Sequence, residues 1–128
     1  LSLLRRNRQI RIEVLDRTGF VSMLRINHLQ PPFDNPAIRR ALWGAIDHTA
    51  CMQALVGANE TSLFQVPLGF FGPGTPLATD VGLDPLRGPR HYDRVRDALA
   101  AAGYRGEQVV IMVPSTSQPN LAVGPVVV

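Results

Sequence analysis

The stretch Pro31–His48, PPFDNPAIRRALWGAIDH, constrains this chain more than any other. Two prolines fix φ and push the residues before them into extended geometry. Asp34 and Asn35 supply turn and N-cap chemistry. Pro36 suits a first helical position, where a missing N–H costs nothing. Ala37, Ile38, Ala41, Leu42, Ala45 and Ile46 then recur at helical spacing and make one apolar face. Arg39, Arg40, Trp43 and Asp47 fall on the other side. The pattern predicts an extended approach, a turn and a capped helix that stops or re-caps near Thr49.

The flanking segments read as strands and helices in alternation. Leu3–Arg6 reads as a short helix capped by Ser2 and broken at Asn7. Gln9–Leu15 alternates, with Ile10, Ile12 and Val14 on one face and Arg11 and Glu13 on the other, and predicts a half-buried strand. Asp16–Gly19 supplies a turn. Phe20–Asn27 reads as a second strand pairing with the first as a hairpin. Thr49 is the expected cap of a helix over 50–56, ended by Gly57. Asp93 is the expected cap of another, with Val95, Ala98, Leu99 and Ala102 as its stripe and Gly103 as its end. Gln108–Val113 is almost continuously apolar and suits the middle of a sheet. Pro114 ends it; Pro119 is tolerable at a helix start, but Gly124 and Pro125 argue against a helix beyond.

Between these elements lies a long connection, 58–88, rich in Pro and Gly. Val66, Pro67, Leu68, Phe70 and Phe71 imply that it packs on a neighbour. The whole is expected to be one domain, 1–128, of α/β class: a small mixed sheet with packed helices.

Composition narrows function by exclusion. The 128 residues carry a formal charge of +3, and all thirteen basic residues are arginines, scattered along the chain. Only 6% are aromatic. A nucleic-acid surface would concentrate arginines on one face with aromatics between them, so no nucleic-acid partner is expected. No apolar run approaches the ~20 residues that cross a bilayer. The lone Cys51 allows no internal disulfide. His48 and Cys51 stand near helical spacing, but a metal would need further ligands, and His28 and His91 are far off in sequence. A Cys–His nucleophile pair would need contact beside an oxyanion site, and no motif supplies one. Gly72 and Gly74 lack the strand-to-helix frame of a phosphate loop. The chain reads as a non-enzyme without metal or cofactor.

Three strings together resemble the extracellular solute-binding proteins of family 5, which serve peptide and nickel ABC importers. The family carries a strand ending in Asn, then P-F-D-N-x-x-V-R-x-A-L-x-x-A-I-D-R. Here the strand ends at Asn27, Ile38 replaces the Val and His48 replaces the last Arg. Upstream, Leu4, Asn7, Ile10 and Ile12 match its L-x-x-N-x-x-I-x-I. Downstream, Tyr92-Asp93 and Ala102-Gly103-Tyr104 bracket a helix as the family's Y-D and A-G-Y do. Asp97 stands near a common Ala, a small departure. The resemblance covers about Leu3 to Val113.

It implies that the chain is part of lobe II of a type II periplasmic-binding-protein fold, a fragment of a longer two-lobed protein whose secretion signal lies upstream. That protein would work in the periplasm, or anchored outside the membrane, closing its lobes on a peptide or similar small solute and delivering it to ABC permease subunits. Two places could face the cleft: Arg25 near the end of the second strand, and Ser115, Thr116 and Ser117 after the last. The competing readings are a stand-alone protein-interaction module using the 58–88 loop, and a small hydrolase using Cys51.

Overall fold

A computed structural model of the chain describes residues 2–16, 18–114, 116 and 126. Among the described residues four α-helices carry the architecture: α1 (Ser2–Arg5), α2 (Pro36–Trp43), α3 (His48–Val56) and α4 (Tyr92–Ala101). Short 3-10 turns at Thr61–Leu63 and Asp84–Leu86 punctuate the long connection.

α2 forms as its sequence dictates. Asn35 is extended, with φ −78° and ψ 114°, and its side-chain oxygen accepts from the Ala37 amide at 2.9 Å. This satisfies one of the amides that a helix start leaves without a partner. Pro36 follows in the first turn. The Arg39 side chain turns back to donate to the carbonyls of Phe33 and Asp34, the second at 3.1 Å, and ties the PPFDN turn to the helix it launches.

α2 is shorter than its apolar periodicity implies. It ends at Trp43, and Ala45 and Ile46 lie in a corner instead of on its face. Asp47 then caps α3, accepting from Ala50 N at 3.0 Å, so Thr49 is not the cap. Gly57, at φ 102°, ends α3 as expected.

α4 packs on α2. Its N-cap residue is His91, which makes no side-chain capping bond; Asp93 sits in the first turn and pairs with Arg96 one turn on. Its C-terminus closes with two reaching amides: Tyr104 N to Leu99 O and Gly103 N to Ala100 O, both 3.0 Å. Gly103 takes φ +86°, the left-handed value this closure requires. The two helices approach closely at Gly44, where an added Cβ would stand 3.1 Å from Val95 Cγ2. Among the described residues the buried ones are Pro32, Ile38 and Cys51. The core is therefore the start of α2 and the middle of α3.

The expected sheet does not form. Among the described residues there is no strand: 9–15, 20–27 and 108–113 run without ladder hydrogen bonds. Most of their apolar side chains remain in solvent, with Phe20 73%, Val110 79% and Met112 93% exposed, while Val21 and Ile26 are half-buried. Alternation says which face a strand would bury but supplies no cover for that face, and two strands without cover are marginal in water. The turn between the first two segments does form its local bonds: Asp16 accepts from the Thr18 amide at 2.8 Å and from its hydroxyl at 2.6 Å. Arg17 of that turn and the Ser2 side chain expected to cap α1 lie outside what is described.

The 58–88 connection packs only in part. Val66, Pro67 and Leu68 are half-buried, whereas Phe70 and Phe71 lie exposed, edge to face, 5.1 Å apart. The connection passes against the Asp16–Gly19 turn, where a Cβ on Gly72 would meet the Thr18 carbonyl oxygen at 3.0 Å.

Candidate functional site

The polar crevice of the described structure lies where α3 begins and the long connection returns. It encloses about 260 Å³, between Asp47, His48 and Thr49 on one side and Val66, Pro67 and the 86–90 segment on the other. Arg90 organises it. Its Nη1 donates to the carbonyls of Trp43, Ile46 and Pro85 at 3.4, 3.5 and 3.4 Å. Its Nη2 donates to those of Arg87 and Gly88 at 3.0 and 2.9 Å. A planar guanidinium can serve acceptors on several sides at once, and here it ties the α2–α3 corner to the end of the loop. Arg87 faces the acids of its own loop, 3.5 Å from Asp80 and 3.7 Å from Asp84.

His48 opens α3 at this crevice. Burial lowers its pKa below the ordinary imidazole value, the nearby Arg90 charge lowers it further, and Asp47 opposes both. Cys51, one turn on, is 8% exposed. Burial raises its thiol pKa and the Asp47 carboxylate adds to the rise. A cysteine nucleophile needs the reverse, a depressed thiol beside a protonated imidazole. The environment thus favours the neutral imidazole and the protonated thiol. Chemically, the crevice is a backbone clamp: the Nη donors of its central cation are already directed at carbonyls.

A more open depression runs between α2 and α4. Its floor is the methyl groups of Ala37, Ala41, Ala98 and Ala102, with Arg40 at its rim. It offers shape and apolar surface but no convergent set of donors.

The residues singled out from the sequence stand elsewhere. Arg25 is exposed on the extended 20–27 segment, and Thr116 is exposed beyond the last one. Among the described residues neither joins a hydrogen bond or ion pair. Ser115 and Ser117 lie outside the described residues. Trp43 keeps its ring about half exposed, and its carbonyl is what meets Arg90. Sequence reasoning missed the Arg90 clamp altogether. The arginine follows a Gly-Pro pair ahead of α4, and no periodicity marks a side chain whose partners lie 44 and 47 residues earlier.

Comparison with known proteins places the chain. The family model described as "Bacterial extracellular solute-binding proteins, family 5 Middle" matches residues 2–128. A protein of Sinorhizobium fredii, named a probable peptide ABC transporter periplasmic-binding protein, is 28% identical over 112 residues. That alignment covers 88% of this chain and 21% of the relative, so the chain spans about a fifth of the relative's length. The motifs at Pro32–Arg39 and Tyr92–Tyr104, the turn and helix closure that they build, and a match running from residue 2 to residue 128 agree: this chain belongs to the family 5 bacterial extracellular solute-binding proteins.

Proposed function

We propose that the chain is the middle part of a periplasmic or membrane-anchored receptor that captures a peptide or similar small solute and delivers it to ABC permease subunits. The observation that carries this reading is the family match over residues 2–128, supported by the peptide-transporter name of the relative. In this reading the chain contributes part of lobe II of a two-lobed fold. Its extended segments at 9–15, 20–27 and 108–113 become strands of a mixed sheet whose other members and cover come from the rest of the protein. The solute is shut between the lobes and favours the closed state by contacts made only there. Arg25 and the Ser115–Ser117 loop reach the cleft, where a guanidinium and hydroxyls suit the carboxylate and backbone groups of a peptide.

The test is calorimetric titration of the full-length protein with a mixed pool of di- and tripeptides, beside the 128-residue chain alone. The full-length protein binds and the chain alone does not. Arg25→Ala and Thr116→Ala each weaken binding by about 1–3 kcal/mol if their side chains contact the solute. Equal affinity in the chain alone would sink the two-lobed reading and direct attention to the 58–88 connection.

A further inference from the structure

The crevice at the start of α3 sets a half-buried histidine beside the fixed charge of Arg90. His48 lines it from α3; Arg87 and Arg90 line it from the returning loop; Asp47 lines it from the α2–α3 corner. The one acid is partly engaged, since Asp47 accepts the Ala50 amide as the cap of α3. His48 also stands at the first residue of that helix, where the backbone dipole disfavours a positive charge. The clamp depends on Arg90 reaching the Trp43 and Ile46 carbonyls on one side and the 85–88 carbonyls on the other.

We propose that this crevice is a pH-sensitive latch: protonation of His48 sets a second positive charge beside Arg90 and releases the 58–90 connection from the α2–α3 corner. The sign follows from the environment. Burial, and then the Arg90 charge, favour the neutral imidazole in the closed crevice, whereas in an opened one the ring returns toward its ordinary value of 6.5. Closure is therefore fully supported above that ordinary value. Support is lost as the pH falls below it and through the lower value of the closed state. Asp47 works against the effect, and Arg87, which also lines the crevice, is paired with Asp80 and Asp84 of its own loop. The latch does not depend on which solute the protein carries.

The experiment is peptide-resolved hydrogen–deuterium exchange on the full-length protein at about pH 7.5 and about pH 5, corrected for the intrinsic pH dependence of amide exchange. Protection of the 43–50 and 85–91 segments is expected to fall about threefold or more on acidification, with α4 unchanged. In His48→Gln and in His48→Asn, each neutral at both pH values, protection in these segments stays level. The proposal is overturned if the variants lose protection in parallel with the wild type, or if the wild type shows no loss. A second measurement, independent of any substitution in the crevice, titrates the imidazole of the unmodified protein by NMR. A midpoint at or above that of the unfolded chain overturns the latch as well.

Discussion

The side-chain amide of Asn35 donates to the carbonyl of Ala102 at 2.9 Å, across 67 residues of chain, while the oxygen of the same side chain caps α2. One residue therefore starts one helix and holds the end of another. Ala102 is the C-cap of α4, so its carbonyl belongs to the set that a helix end leaves without an internal partner.

Replacing Asn35 separates these roles. Asn35→Ala removes both bonds and is expected to cost about 1–3 kcal/mol in denaturant unfolding of the full-length protein. Asn35→Asp keeps the cap but has no amide to donate and sets a carboxylate against the Ala102 carbonyl. It should lose at least half as much. An Asp variant as stable as the wild type would show that the bond to Ala102 contributes nothing.

Arg90 makes the second long connection, and its shape matters as much as its charge. Arg90→Lys retains the charge but cannot reach carbonyls on both sides of a planar fork. Both Arg90→Lys and Arg90→Gln are expected to destabilise by about 1–3 kcal/mol and to make the 85–90 segment a site of early proteolysis. Full protection of that segment in the lysine variant would mean that charge alone holds the loop.

The two helix-ending glycines should differ. Gly103 sits at φ +86° with the amide pattern of a left-handed closure, and Gly103→Ala is expected to cost about 1 kcal/mol. Gly57 combines φ 102° with ψ 141°, a region that residues with a Cβ rarely enter. Gly57→Ala should cost more, about 1–3 kcal/mol, and the order of the two midpoints in thermal unfolding checks it.

Cys51 should behave as a packing residue. Thiol reagents are expected to label it slowly in the folded protein and quickly after denaturation, because burial and Asp47 both hold the thiol protonated. Cys51→Ala should cost about 1 kcal/mol and leave solute affinity unchanged. Rapid labelling of the native protein at neutral pH would contradict the buried placement.

What the sequence disclosed divides by the range of the interactions concerned. The cap at Asn35 and the closures at Gly57 and Gly103 act within a turn and were readable from neighbouring letters, whereas the bond from Asn35 to Ala102, 67 residues on, was not. At the start of α3 the letters pointed to Thr49, but Asp47, two residues earlier, is the cap, because its carboxylate accepts from the Ala50 amide. At α4 the acid in the first turn took an ion pair with Arg96 instead of the cap. Alternation at Ile10, Ile12 and Val14 predicted a half-buried strand that does not form among the described residues, because a sheet is a relation between segments and pairing cannot be read from one of them. Arg25 and Thr116 were chosen for their chemistry, and the described residues bring no partner to either. The Arg90 clamp was invisible for a related reason: carbonyls carry no residue identity, so nothing in the letters announces what the guanidinium will meet.

The bare segment at 108–113 has a consequence for handling the protein. Gln108-Val-Val-Ile-Met-Val113 is six residues of high β-propensity with no charge, no proline and no glycine, and its side chains stand in water. Such a hexamer is what stacks into cross-β fibrils when nothing covers it. Wherever this part of the protein is separated from whatever shields that row, the lag before fibrils form will shorten with concentration. A single lysine at Val110 would lengthen it.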